Sequence, residues 1–190
     1  MMERPSRRRR ALSSSRGNSR RTPVIAVCGS DGDDRALTRR TLRWAEEVGS
    51  LLAREGAVLV CGGKGGIMEA ASRGARNGGG IVVGLLPRGR EEANPYVSIP
   101  LATHIGHVRN FMVASMADVV IGIGGRWGTL NEVSYALNIQ KPAVVLKGSG
   151  GWADLLARHG RKFDGPPLIA RNPAEAVSLA LRAARARLGE

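Results

Sequence analysis

Five apolar runs recur along this chain, and each is followed by a segment whose apolar residues fall on one face of a helix. The runs are "PVIAVCG" (23–29), "AVLVCGG" (57–63), "IVVGLLP" (81–87), "DVVIGIGG" (118–125) and "PAVVLKG" (142–148). A strand with one wet face alternates apolar and polar residues; these are apolar at odd and even positions alike. Such strands belong to a parallel sheet covered on both sides, and the intervening helical segments supply the cover. The pattern predicts an α/β fold with a doubly wound, mostly parallel sheet. It is Rossmann-like and forms a single domain over residues 23–190, with no internal repeat. Helices are expected over 35–56, 66–78, 106–117, 128–140, 152–160 and 173–189, with weaker strands near "VSIPLA" (97–102) and "PLIA" (167–170).

Composition narrows the classes of function. No apolar run approaches the roughly 20 residues that span a bilayer, so no membrane partner is expected. Aromatic residues make up 4% of the chain, too few for a surface that stacks nucleic-acid bases. Cys28 and Cys61 lack metal-ligand spacing and read as buried, reduced thiols of a cytoplasmic protein. His104, His107 and His159 form no metal-binding pattern either, so no catalytic metal is predicted. The net charge is +13, but residues 1–22 hold eight arginines and one glutamate, more than half of that excess. This Arg/Ser tail has no hydrophobic periodicity and is expected to be disordered. Nucleic acid is an expected partner only through the tail.

Three glycine clusters stand where strands hand over to helices: "CGSDGDD" (28–34), "CGGKGG" (61–66) and "GIGGRWGT" (122–129). In sheets of this type ligands bind beyond the carboxyl ends of the strands. Glycines there let backbone approach a ligand, and helix N-termini offer unpaired N–H groups to an anion. Glycine also makes ordinary strand-to-helix turns. Three clusters converging on one edge favour an anionic small-molecule ligand over turns alone. No standard nucleotide fingerprint fits. "GGKGGIM" lacks the Gly-Lys-Ser/Thr of a P-loop, and "GIGGRWG" spaces its glycines as GxGxxxG.

The stretches "GGKGGIMEAASRGA", "HVRNFM" and "GGRWGTLNE" resemble the LOG superfamily, once described as lysine-decarboxylase-like. That family's motifs are a GGGxxGLM-type loop, an arginine in a helix, and PGGxGTxxE. Within it, "MEAASRGA", "ANPYV", "VRN" and "ADVVIGIGG" look closer to the molybdenum cofactor carrier proteins. The resemblance covers about Pro23 to Lys147. It implies a Rossmann-like fold, a homo-oligomer, and a nucleotide-like or pterin-phosphate ligand, with the molybdenum cofactor as bound cargo. It makes Gly124, Gly125, Gly128 and Thr129 the phosphate loop, and Gly62, Gly63, Gly65, Gly66 and Met68 the second glycine loop. It makes Arg109 and Glu132 the catalytic pair if the protein is a hydrolase. Departures are Ile123 in place of proline, Asn110 in place of lysine and Glu69 in place of glycine.

Gly29, Ser30, Lys64, Asn110 and Trp127 join these as ligand-binding candidates, each with a plainer alternative. Arg109 offers a planar fork to a phosphate or carboxylate, or pairs at the surface. Glu132, read as lying one turn into its helix, either works on a ligand's sugar, as carboxylates do in glycosidic cleavage, or only complements the helix dipole. Lys64 is a ligand cation or a solvent-facing loop residue. Trp127 either covers a flat heterocycle or plugs a subunit core. The two functions open to this set are a binding protein of the molybdenum cofactor carrier type and a nucleoside 5′-monophosphate phosphoribohydrolase. The helical segments containing Phe111 and Tyr135 are apolar on more than one face, which predicts a homodimer or homotetramer.

Overall fold

Seven parallel strands form one sheet in the computed structural model, which describes residues 21–189. In chain order they are β1 (Val24–Gly29), β2 (Val58–Cys61), β3 (Val82–Leu86), β4 (Ile99–Ala102), β5 (Val119–Ile123), β6 (Ala143–Leu146) and β7 (Leu168–Ala170). Their spatial order is β4-β3-β2-β1-β5-β6-β7, and every neighbouring pair is parallel. The sheet expected to be mostly parallel is wholly so. β4 contains Pro100, which supplies no N–H to a ladder, and it accordingly lies at the sheet edge. The expected tail falls almost entirely outside the described residues.

The six α-helices among the described residues are α1 (Arg39–Arg54), α2 (Ile67–Asn77), α3 (Arg109–Met116), α4 (Trp127–Asn138), α5 (Gly151–His159) and α6 (Pro173–Leu188). Two buried clusters show how the sheet is covered. Ala45, Val48 and Leu52 of α1, Ile67 and Ala71 of α2, and Val177 and Leu181 of α6 close one face. Val113 of α3, Val133 and Ala136 of α4, and Ala153 and Ala157 of α5 close the other. Both faces are dry, as the strands' apolar runs require. Among the described residues no helix is long and apolar enough to cross a membrane.

Two helix starts differ from the expected ones. α1 begins at Arg39 because the Thr38 hydroxyl accepts a hydrogen bond from the Thr41 N–H and caps the helix. The segment expected as one helix over 106–117 divides into a 3-10 turn at Gly106–Val108 and then α3. Gly106 has φ of +58°, which continues no right-handed helix.

The tightest helix packing joins α1 to α2, through a glycine on each. A Cβ on Gly49 would lie 2.0 Å from the Ala71 carbonyl oxygen, and one on Gly74 would lie 1.9 Å from that of Glu46. Gly74→Ala favours an isolated helix by about 0.5–1 kcal/mol. Here it should destabilise the protein by about 1–3 kcal/mol, the usual cost of overpacking, and lower Tm by several degrees. A thermal melt in which Gly74→Ala is as stable as the parent would show that these helices are free to separate.

Candidate functional site

The chain runs outward from β1 to β4 and then returns to place β5 beside β1 on the other side. The helices after β1 and β5, α1 and α4, therefore lie on opposite faces of the sheet. The carboxyl ends of these two strands diverge into a crevice, the position where open α/β sheets bind ligands. A cleft of about 180 Å³ opens there, lined by residues that follow β1, β2, β3 and β5 and by the start of α3.

Arg109 and Glu132 form its floor. Both are 6% exposed, and Arg109 Nη1 stands 3.9 Å from Glu132 Oε1. Arg109 is the first residue of α3, and its guanidinium lies directly against the backbone after β2. A Cβ on Gly62 would come within 2.1 Å of Nη1. Glycine at 62 is what leaves room for the arginine. Arg109 Nε is buried and has no hydrogen-bond partner among the described residues, so this guanidinium has an unfilled donor.

Glu132 lies beyond the first turn of α4, which carries no acidic residue. The dipole explanation for a carboxylate at this place therefore falls away, since that effect is confined to the first turn. Burial raises its pKa to about 7, although the Arg109 charge and a hydrogen bond from the Cys28 thiol act to lower it. The same burial, with the Glu132 carboxylate beside it, pushes the Cys28 thiol well up.

The rim is charged. Lys64 Nζ lies 2.7 Å from Asp31 Oδ2, and Arg126 Nη2 lies 2.5 Å from Asp33 Oδ1. Burial acts to raise the Asp31 pKa, but the Lys64 ammonium and the N–H groups of Gly32 and Gly65 hold it below its usual range. Ser30 is buried and its hydroxyl donates to Asp34. α4 starts at the cleft, and its N-cap residue Arg126 makes no side-chain capping bond. The first N–H groups of the helix accordingly lack a partner from the helix itself. An oxyanion in this cleft would meet those N–H groups and the Arg109 fork.

The expected residues divide into two groups. Ser30, Lys64, Met68, Arg109, Asn110, Gly128, Thr129 and Glu132 all line the cleft, as does Gly29. The remaining glycines shape it from behind. Gly63 and Lys64 offer their carbonyls to the Asn94 amide. Gly66, at φ of +64°, leaves only 2.3 Å between a hypothetical Cβ and the Ser30 carbonyl, and Gly65 N–H donates to Asp31. Gly124 N–H donates to Ser149 Oγ, while the carbonyls of Gly124 and Gly125 accept from Ala153 and Trp152 N–H of α5. These two glycines are thus tied to the start of α5, and neither lines the cleft. Trp127 is 73% exposed and does not line the cleft.

Asp31, Pro87, His107 and Arg126 also line the cleft and were not among the expected residues. Asp31 and Arg126 stand inside the glycine clusters, so their position was a usable signal. The loop has two residues, Arg126 and Trp127, between Gly125 and Gly128, where PGGxGTxxE has one. Among the described residues no group of histidine, cysteine and acidic side chains could hold a metal ion.

Fold and site together define a Rossmann-like α/β protein with a small polar cleft, floored by a buried arginine, at its strand ends. The chain belongs to the SLOG cluster4 family, whose model matches residues 22–177. It is similar to the molybdenum cofactor binding protein from the phototrophic bacterium Rippkaea orientalis. That structure shares 34% identity and a TM-score of 0.77 over 86% of this chain and 98% of the other. The molybdenum cofactor carrier protein of Chlamydomonas reinhardtii is 30% identical with a TM-score of 0.74, over 86% of this chain and 98% of that one. Among sequence relatives, a probable cytokinin riboside 5′-monophosphate phosphoribohydrolase of Oryza sativa subsp. japonica is 32% identical over 73% of this chain. The match spans 63% of that relative, under two thirds of its length.

Glu132 sets a pH dependence of stability. Its carboxyl titrates at about 7 when folded, against 4.5 as the ordinary value. Between those values the folded protein keeps a proton that the unfolded chain has released. Stability therefore falls as pH rises from 4.5 to about 7 and stays lower above it, by about 3 kcal/mol in all. Glu132→Gln should remove the fall, so the variant should gain on the parent between pH 5 and pH 8. Thermal melts in phosphate-free buffer read this directly, and parallel pH profiles for the two proteins would exclude Glu132 as the source.

Proposed function

We propose that this chain is a binding protein for a phosphorylated pterin, a carrier of the molybdenum cofactor type, rather than a phosphoribohydrolase. The observation that carries this reading is the buried Arg109, with its unfilled Nε, in a protein that matches molybdenum cofactor proteins over almost their whole length. The phosphorylated end of the cargo lies in the cleft. Arg109 and the N–H groups at the start of α4 hold its oxygens, and the Thr129 hydroxyl adds a donor. Lys64 and Arg126 exchange their aspartates for the ligand's charge. Glu132, whose pKa burial raises to about 7, repels an approaching dianion less than an ordinary carboxylate would.

A homodimer or homotetramer belongs to the same proposal. Val108 is 56% exposed, and Phe111 and Met116 of α3 are also exposed. Phe111 packs at a tilt against Tyr135 of α4, with centroids 4.8 Å apart. This apolar strip across α3 and α4 is cover for a second copy. Two free, buried cysteines support the cytoplasm as its place of work.

The test is retention of cargo. Protein incubated with molybdenum cofactor and passed through a desalting column should keep pterin and molybdenum together. Arg109→Ala should weaken binding by about 1.5–3 kcal/mol, the range for a hydrogen bond to a charged group. Gly62→Ala should do the same, because its methyl group would occupy the guanidinium's place. Release of ribose 5-phosphate from AMP, abolished by Glu132→Ala, would establish the hydrolase instead. Cargo affinity unchanged in both Arg109→Ala and Gly62→Ala would overturn the assignment of the cleft.

A further inference from the structure

On the far side of the Gly125–Arg126 turn lies a second cavity, of about 490 Å³, which the proposed function leaves unused. Its walls include the indoles of Trp127 and Trp152, with centroids 5.2 Å apart and planes inclined at 52°. Leu155 and Arg158 of α5 complete it. The only acid lining it among the described residues, Asp154, has its carboxylate occupied by the N–H groups of Gly148 and Gly150. Arg126 lines both this cavity and the Arg109 cleft, so the two sites meet at one residue.

We propose that the Trp127–Trp152 cavity takes the aromatic ring of a ligand whose anionic end lies in the Arg109 cleft. This rests on the reading of that cleft as a phosphate site. The first support is size. At about 180 Å³ the cleft is smaller than the roughly 300 Å³ at which small-molecule sites begin. It accommodates a phosphate and little more, so a ring must lie outside it. The second is chemistry: an exposed indole at 73% is a large apolar face open to water, and a tilted indole pair offers π-faces on which a flat heterocycle stacks. The third is position. Because Arg126 lines both sites, ring and phosphate lie on either side of one residue, which suits a single phosphorylated heterocycle. The additional residue between Gly125 and Gly128, relative to PGGxGTxxE, lies at the junction. The ligand class is a purine- or pterin-like ring on a phosphorylated frame.

Stacking tolerates any flat ring, so AMP serves as a probe and ribose 5-phosphate as its ringless counterpart. Titration calorimetry on the full chain should show AMP binding about 5- to 150-fold more tightly than ribose 5-phosphate, the equivalent of one stacked base. AMP, but not ribose 5-phosphate, should quench tryptophan fluorescence. In Trp127→Ala and Trp152→Ala the ratio of the two affinities should fall to near one, and Trp127→Phe should restore part of it. Equal affinities in the parent, or a ratio that survives both alanine variants, would overturn the proposal while leaving the phosphate site standing. A change of molecular mass by light scattering in Trp127→Ala would overturn it too, by making the pair a subunit contact. Failure of both probes to bind would remove the phosphate reading and this one with it.

Discussion

A buried guanidinium pressed against a bare stretch of backbone is the contact on which the rest of the site depends. Arg109 can occupy the sheet end only because Gly62 presents no side chain to it. Once there, it is nearly out of water, and burying a charge is costly unless something balances it. Glu132 is the balancing group at 3.9 Å, but it is itself buried enough to titrate near 7. Neither partner is fully satisfied by the other. The floor of the cleft thus keeps a donor and a partial positive charge in reserve, and the charged pairs on the rim surround it.

The architecture was legible because its signal is redundant. Five strands apolar on both faces admit few arrangements besides a parallel sheet with helices on two sides. The weaker expectations concerned β4 and β7, which are short, and of which β4 carries Pro100. Helix boundaries were less legible. Thr38 and Gly106 set two of them through a local hydrogen bond and a positive φ, and neither interrupts the apolar periodicity from which the helices were read.

The candidate site was legible in its glycines and less so in its charges. Gly62 and Gly66 could be singled out from their clusters, although the reason for each is a contact with a distant segment, Arg109 in one case and Ser30 in the other. Glu132 could not be distinguished from a dipole-complementing residue until α4 was seen to begin at Trp127. Lys64 and Asp31 are far apart in the chain and meet only because β1 and β2 are neighbours. A charge in a glycine loop reads the same whether it faces water or an opposite charge across a sheet end. Trp127 was a ligand-binding candidate by its position in the loop; the first turn of α4 sets it outside the Arg109 cleft, beside Trp152.

The turn at Gly124 and Gly125 is tied at three points to the segment that leads into α5. Ser149 Oγ accepts from Gly124 N–H, and the two glycine carbonyls accept from the N–H groups of Trp152 and Ala153. A loop held in this way is already in place before anything arrives. Its ordering entropy is met during folding rather than at each encounter. A ligand of the kind proposed would then need no movement of this turn, and differences in affinity among such ligands would fall on how long each one stays.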